Sequence, residues 1–140
     1  MVITREADYA IRLMVALAPR APGTVVSART LAAECDVPYE LARTILGNLA
    51  EVGILESRRG RSGGFALAKP ASEIRLGDVL AAAGETLQLN ICVNDPSMCG
   101  RSQVCPVHPI WTRASDVLRG FLADQSIAQM LQIEGSDTTC

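Results

Sequence analysis

Long hydrophobic runs, histidine and lysine are scarce in this chain of 140 residues, which has one histidine and one lysine. No apolar stretch approaches the roughly 18 residues expected of a membrane helix, and the first residues lack the basic-then-apolar order of a signal peptide. The sequence also lacks a phosphate-binding glycine loop and a nucleophile next to a base, which argues against an enzyme. We therefore expect a cytoplasmic, non-catalytic protein built on one ordinary core.

Cysteine, by contrast, is concentrated in one segment. Cys92, Cys99 and Cys105 lie within 17 residues together with His108, the only histidine. An odd number of cysteines in a cytoplasmic chain argues against a disulfide framework. Their composition indicates a metal or cluster site. Six residues separate the first two cysteines and five the last two, which is looser than a zinc ribbon and suits an open loop around something larger than a single zinc ion. Three thiolates would leave one coordination position for an oxygen or nitrogen donor.

Charge is divided unevenly along the chain. Residues 1–72 carry nine basic and seven acidic residues, a net +2, whereas residues 73–140 carry four basic and eight acidic residues, a net −4. Three arginines are crowded together at Arg58, Arg59 and Arg61. A local cluster of arginines on an otherwise acidic protein can supply phosphate contacts, and we prefer this interpretation to a merely solvated turn.

Helical periodicity predicts two helices before residue 36. The first runs from residue 4 to about residue 18 with Thr4 as its cap. The second covers residues 28–35 with Ser27 as its cap, and Cys35 at its end is predicted to be a small core residue.

A third helix is predicted from Tyr39 to Gly53, after the break at residues 36–38. Its apolar positions at helical spacing are Leu41, Ile45, Leu46, Leu49 and Val52. Two short helices joined by a tight turn predict a helix-turn-helix, whose second helix can lie in a DNA major groove.

Two strand candidates, residues 54–58 and 64–68, flank a glycine-rich turn at residues 59–63. A hairpin placed directly after a helix-turn-helix is a wing. Its glycines allow close approach to a sugar-phosphate backbone, and its arginines can reach phosphates or a narrow minor groove.

The last third of the chain begins with a short helix predicted at residues 76–83 and the cysteine loop at about residues 90–108. A longer helix of about four turns follows, with an apolar stripe that either packs on its own domain or forms a dimer seam. The stripe consists of Ile110, Trp111, Ala114, Val117, Leu118, Phe121 and Leu122. A short helix at residues 126–131 comes next, and we expect residues 134–140 to fray.

The predicted fold is therefore mainly α with a small β-hairpin, a winged helix-turn-helix followed by a long C-terminal dimerisation helix. Outward-facing side chains at the start of the third helix could reach base edges or phosphates, with Arg43 pairing with guanine and Tyr39 reaching a phosphate. The candidate DNA-contacting residues are Ser27, Arg29, Pro38, Tyr39, Glu40, Arg43, Thr44, Arg59, Arg61 and Ser62.

These features together resemble a known family. The pairs and runs that carry the resemblance are residues 9–10, 31–32, 37–38, 52–55, 59–64 and 74–79, together with the three-cysteine loop. In this pattern the chain resembles the bacterial winged-helix iron–sulfur transcription regulators that include IscR, NsrR and RirA. The resemblance implies a homodimer with crossing C-terminal helices, a roughly palindromic DNA operator, and a cluster whose state controls operator affinity in response to iron, cluster supply, redox state or nitric oxide.

By this resemblance Cys92, Cys99 and Cys105 are the cluster ligands, although the first spacing is one residue longer than in IscR and NsrR. For the fourth ligand, His108 matches the histidine of IscR-like members, and Asp8 matches the carboxylate that NsrR-like members contribute from the opposite subunit. Each also has an ordinary alternative. Asp8 could pair with Arg12 one helical turn later, and His108 could cap the following helix.

A histidine ligand would favour a 2Fe–2S cluster by analogy, which is our expectation, and a carboxylate from the partner chain would fit a 4Fe–4S cluster. The chain then divides into a winged helix-turn-helix DNA-binding domain (residues 1–84), a cluster-binding loop (85–108), and a dimerisation helix with its tail (109–140).

Two other interpretations of the loop stay open. It could be a thiol switch in which two cysteines form a reversible disulfide without any cluster. It could also be a structural zinc site in a domain that binds a protein partner, although the irregular spacing and the arginine-rich wing count against this.

Overall fold

The structure is a computed structural model that describes residues 3–132. The tail expected to fray, residues 134–140, lies outside the described residues. The elements in order are α1 (Arg5–Leu17), α2 (Ala28–Glu34), α3 (Tyr39–Glu51), β1 (Leu55–Arg58), β2 (Gly64–Leu67), a 3₁₀ turn (Ala71–Glu73), α4 (Leu76–Ala82), α5 (Ile91–Asn94), a second 3₁₀ turn (Pro96–Met98), α6 (His108–Asp124) and α7 (Ile127–Met130). None of the helices within residues 3–132 is long and apolar enough to cross a membrane.

Helix α1 begins where the sequence predicts. The Thr4 hydroxyl accepts a hydrogen bond from the Ala7 backbone N–H at 3.2 Å, which satisfies a donor that the first helical turn leaves without a partner. One face of the helix is fully buried, with Leu13, Met14 and Leu17 in the main core. Each of these side chains contributes on the order of 1.5–3 kcal/mol through burial of apolar surface. Helix α1 contacts α2, α3, α4 and α7, and it therefore joins the helix-turn-helix to later helices of the fold.

The predicted helix-turn-helix is formed by α2 and α3. Helix α2 is capped by Ser27, as predicted, and Cys35 is buried, with its thiol donating to the Arg12 carbonyl at 3.6 Å. The turn between the helices passes through Asp36, whose φ of 52° lies in the left-handed region. Aspartate tolerates this conformation better than most residues, so the chain can reverse here without a glycine.

Two of the apolar positions predicted for α3 are not in the core. Leu41 is 37% exposed and Val52 is 60% exposed, so two of the five apolar positions at helical spacing lie outside the buried face. The buried residues of α3 are Ala42, Ile45, Leu46 and Leu49. The helical repeat identified the direction of the buried face, but its edges depend on where α1, α2 and β1 lie.

The predicted wing is present as the antiparallel hairpin β1–β2, in which Leu55 pairs with Leu67 and Arg58 with Gly64. A backbone bridge extends it, because the N–H and C=O of Val26 exchange hydrogen bonds of 2.9 and 2.8 Å with those of Phe65. Val26 immediately precedes the cap of α2. The bridge therefore connects the wing directly to the helix-turn-helix.

The segment that contains α7 packs against the same main core as α1. The Ile127 N–H donates to the Ile74 carbonyl at 2.9 Å, and the Leu76 N–H donates to the Gln125 carbonyl at 2.9 Å. Helix α7 starts with a capping box between Ser126 and Gln129, and Ile127 is fully buried in the same core as α1. Helix α7 is thus part of the core that supports the helix-turn-helix.

The apolar side chains of α6, which the sequence predicts to form one continuous stripe, lie in two different environments. Leu118 and Leu122 are half-buried, and Leu122 packs near α1 and α4. The other side is open, with exposed apolar side chains at Ile110, Val117 and Phe121. At about 100° per residue these three side chains share one face, while Leu118 and Leu122 are rotated away from it.

Gly64 is a position where only glycine fits. A Cβ built there would lie 2.2 Å from the Val26 carbonyl oxygen, and the φ of 153° is strained for other residues. We expect Gly64→Ala to lower the free energy of unfolding by about 2 kcal/mol, measured by chemical denaturation.

Gly47→Ala is the matched control for this substitution. Gly47 lies within α3, and a Cβ there would meet nothing within 4 Å. Alanine at this position should raise the free energy of unfolding by about 0.5–1 kcal/mol because it favours the helix. Equal effects of the two substitutions would contradict the described junction between the wing and the segment before α2.

Candidate nucleic-acid interface and cysteine loop

The first turns of α2 and α3 lie side by side. The guanidinium carbon of Arg29 lies 4.3 Å from the centre of the Tyr39 ring, a cation–π contact between the two helices. Pro38 is the cap residue of α3. The Ser27 hydroxyl accepts from the Thr30 N–H at 3.0 Å, so its main task is to cap α2. The contact places the exposed Arg29 beside Tyr39, which is half-buried and packs against the main core.

The next side chains of α3 pair with each other. Arg43 and Glu40 form an ion pair at 3.5 Å, and the Thr44 hydroxyl donates to the Glu40 carbonyl at 3.0 Å. Both charged side chains are more than 60% exposed. An exposed pair of this kind contributes little to stability, so Arg43 can leave Glu40 for another anion at small cost.

The tip of the wing presents Arg59, Arg61 and Ser62 to solvent. Its tight shape requires glycine at two points. Gly60 has a φ of 105°, and a Cβ at Gly63 would lie 2.3 Å from the Arg58 carbonyl oxygen. The turn thus holds two arginines at an exposed tip with a narrow backbone.

The cysteine loop is more ordered than the open loop that the sequence suggests. The first ordered turn is α5, and the second is the 3₁₀ turn that starts at Pro96. Asp95 caps the second turn by accepting from the Ser97 hydroxyl at 2.6 Å and from the Ser97 N–H at 2.9 Å. These two hydrogen bonds, the side-chain one first, hold the pKa of the Asp95 carboxyl below its usual value. Ser102 is buried and donates to the Pro96 carbonyl at 2.8 Å, which closes the loop on itself.

The loop brings Cys92 to the start of α6. The Cys92 sulfur lies 3.5 Å from Nδ1 of His108. Cys92, Cys99 and Cys105 are all half-buried, and none of the three forms a disulfide. Within residues 3–132, however, no three side chains of the types His, Cys, Asp or Glu are close enough together to hold a metal ion. The structure therefore assembles one pair of the predicted ligands and leaves Cys99 and Cys105 apart from it.

The two candidates for the fourth ligand have different surroundings. Asp8 forms an ion pair with Arg12 at 2.7 Å, the ordinary alternative that the sequence indicates. His108 is the first residue of α6, and no side chain caps this helix. His108 therefore does not act as a helix cap, the ordinary alternative considered above. Its ring contacts Cys92 instead.

The sequence did not predict one hydrogen bond at the start of the cysteine loop. The Leu89 N–H donates to the Ser115 hydroxyl at 3.2 Å, and Ser115 is fully buried in α6. The signal available in the sequence was a small polar residue next to the apolar positions of the long helix. Periodicity alone does not identify its partner, because the partner is 26 residues away.

The donor set of the loop suits an iron–sulfur cluster. Three thiols outside any disulfide and an imidazole in contact with one of them are the ligand types that iron in such clusters accepts. The cysteines are half-buried in a loop of short turns, and Cys99 and Cys105 would have to move towards Cys92 and His108 to share one cluster with them.

Comparison with known proteins identifies the family. The model of the Rrf2 family, described as iron-dependent transcriptional regulators, matches residues 3–133. A protein of Mycobacterium tuberculosis named as an HTH-type transcriptional regulator is 45% identical over 80 residues, which cover 57% of this chain and 50% of the relative. The chain thus aligns with about half the length of this relative. The HTH-type transcriptional regulator IscR of Escherichia coli is 26% identical over 131 residues, 94% of this chain and 80% of the relative.

Solved structures show the same fold. Oxidised CymR of Staphylococcus aureus has a TM-score of 0.72 at 24% identity and covers 97% of this chain and 100% of its own. IscR of T. potens has a TM-score of 0.71 at 20% identity and covers 94% of this chain and 87% of its own. The predicted winged-helix architecture is confirmed by these similarities.

The family and the named relatives are transcriptional regulators, which confirms the expectation that the chain is not an enzyme. The family resemblance inferred from the sequence is confirmed as well. From the match over residues 3–133, the chain belongs to the Rrf2 family of transcriptional regulators.

Proposed function

We propose that this protein is a homodimeric, DNA-binding repressor of transcription whose operator affinity is controlled by an iron–sulfur cluster in the cysteine loop. The observation that carries the proposal is the contact of Cys92 with His108 in a loop that contains two more thiols outside any disulfide. Residues 1–84 bind a palindromic operator, residues 85–108 hold the cluster, and residues 109–140 comprise the dimerisation helix and the tail. Such a protein acts in the cytoplasm, where the DNA is.

The DNA-binding part of the proposal rests on two features of the protein surface. The first turn of α3 carries Tyr39 and Arg43, and Arg29 is ordered beside them by its contact with the Tyr39 ring. The wing tip carries Arg59 and Arg61. Helix α3 would lie in the major groove, while the wing arginines would neutralise phosphates or enter the minor groove. Ser27, Pro38, Glu40, Thr44 and Ser62 complete the proposed contact set.

The dimerisation part rests on the open side of α6. Val117 is 66% exposed and Phe121 is 61% exposed, which is unusual for large apolar side chains on one face. The same side bears a groove of about 610 Å³ lined by Pro109, Ile110, Arg113, Ala114 and Val117. A second copy of α6 would cover this face, as in the crossing helices that the family resemblance implies.

The cluster part assigns four ligands, Cys92, Cys99, Cys105 and His108, to a 2Fe–2S cluster. His108 is preferred over Asp8 because its ring already contacts Cys92, whereas Asp8 is paired with Arg12. The bound cluster would supply redox and ligand-exchange chemistry that responds to iron, oxidants or nitric oxide. Binding would draw Cys99 and Cys105 towards the first pair and rearrange the turns of the loop, since metal binding is coupled to the structure of its site.

The arrangement suggests how the loop affects DNA binding. His108 is both a proposed ligand and the first residue of α6. A change in its position would shift the start of the helix whose open face forms the dimer contact. The spacing of the two α3 helices, and hence their fit to successive turns of the major groove, would follow.

The wing arginines are expected to act through phosphate contacts. For the double variant Arg59→Ala/Arg61→Ala, operator affinity should fall for all sequences alike. The slope of log affinity against log salt concentration should decrease by about two units, one for each lost contact. Binding to an operator selected from random DNA, measured at several salt concentrations, tests this. Arg119→Ala is the control, because Arg119 is paired with Asp116 on α6, and an equal effect of this control would contradict a specific role of the wing.

The cluster is tested by the visible spectrum, with iron and sulfide analysis, of protein purified without oxygen. We expect a coloured protein that loses its colour on Cys99→Ala and keeps it on Cys35→Ala. Cys35 is the matched control because it is buried in the core and lies outside the loop.

A colourless protein that gains no iron on reconstitution would contradict the cluster. The loop would then be either a thiol switch or a zinc site, and a zinc assay would distinguish between these two. A thiol switch would instead respond to reductant alone, through a disulfide between two of Cys92, Cys99 and Cys105.

The fourth ligand is tested by His108→Ala and Asp8→Asn in the loaded protein. We expect the first substitution to change the absorption bands and the electron paramagnetic resonance signal of the reduced cluster, because the donor atom changes. The second substitution should leave both unchanged. The reverse pattern would assign the fourth position to Asp8.

A further inference from the structure

Ser115 is the only residue of α6 that is fully buried, and it is polar. Its hydroxyl accepts the backbone N–H of Leu89, three residues before Cys92. A buried hydroxyl surrounded by apolar side chains is costly unless it is hydrogen-bonded. The hydrogen bond gives the Ser115 hydroxyl oxygen a partner as an acceptor and satisfies the Leu89 backbone N–H.

Ser115 and His108 lie on the same face of α6. They are seven residues apart, close to two helical turns, which corresponds to about 10.5 Å along the helix axis. Leu89 and Cys92 are three residues apart, so at most about 10 Å of chain separates them. Leu89 contacts Ser115, and Cys92 contacts His108. The segment from Leu89 to Cys92 therefore runs antiparallel to the first half of α6 and is attached to it at both ends.

The start of this segment is attached to the core as well. Leu87 is 5% exposed and packs with Ala7 of α1 and Leu80 of α4. Its φ of 51° lies in the left-handed region, an uncommon conformation for a leucine. The surrounding contacts must hold the chain in this conformation. From Leu87 onward, the direction of the chain towards α6 is thus determined.

We propose that Ser115 is a positioning residue of the cysteine loop. Its hydroxyl holds the Leu89 backbone against α6 and thereby keeps the Cys92 thiol next to the His108 imidazole before any metal is bound. The idea that this contact helps a cluster to assemble rests on the proposed function. The positioning itself concerns only residues of this chain and is measurable in the protein without a cluster.

The test compares full-length, metal-free, reduced wild type with Ser115→Ala by nuclear magnetic resonance at one fixed pH. His108 is the only histidine, so its ring signals are readily assigned. In the wild type we expect a nuclear Overhauser effect between the His108 ring and the Cys92 β protons. In Ser115→Ala this effect should weaken or vanish, and exchange of the Leu89 amide proton should become roughly three- to tenfold faster because its hydrogen bond is lost.

Ser126→Ala is the matched control. Ser126 is also a buried serine whose hydroxyl accepts a backbone N–H, but it caps α7 and is not part of the loop. This variant should lose some stability and keep the wild-type signals of His108, Cys92 and Leu89. An unchanged Overhauser effect in Ser115→Ala, or an equal loss in Ser126→Ala, would overturn the proposal.

Measurements on protein supplied with iron and sulfide distinguish the positioning role of Ser115 from the cluster proposal. If the wild type takes up no iron but Ser115→Ala changes the Overhauser effect as expected, the cluster proposal fails and the positioning role stands. If the wild type holds a cluster and Ser115→Ala changes neither the Overhauser effect nor the cluster spectrum, the positioning role fails and the cluster proposal stands.

Discussion

The burial of one face of α1 is the interaction on which the other elements depend. Leu13 and Met14 pack in the core that also contains the helix-turn-helix, while Ala7 packs against Leu80 and Leu87. The small side chains Ala7 and Ala10 are fully buried, which lets neighbouring elements approach the helix closely. A single helix therefore supports both the candidate DNA-binding surface and the segment at Leu87 that leads into the cysteine loop. A packing defect in α1 would affect both at once.

Helix α6 performs a second connecting role with two different faces. One face carries His108 and Ser115 and receives the segment before the cysteines. The other carries Val117 and Phe121, which are open to solvent in the single chain. A helix is a rigid element, so in the proposed function a change at its first residue would be carried along α6 to the exposed face. In the proposed function, this rigidity links the state of the loop to the geometry of the dimer.

Features governed by local interactions were predicted well. The caps Thr4 and Ser27 and the turn at residues 59–63 depend on residues within a few positions of each other, and all lie where the sequence places them. The edges of buried faces were predicted less well. Val52 is exposed although its spacing matches that of the core residues, and the stripe of α6 is divided between two environments. Periodicity gives the direction of a face, while its width depends on the neighbouring elements.

The sequence by itself determined the family, the helices outside the cysteine loop, the wing and the presence of three thiols beside one histidine, because these follow from residue type and short-range spacing. Only the tertiary structure decided which of these groups meet. The contact of Cys92 with His108, the hydrogen bond of Leu89 with Ser115 and the bridge of Val26 with Phe65 join residues 16, 26 and 39 positions apart. Such pairs depend on how the helices pack around α1, and local patterns contain no information about that packing.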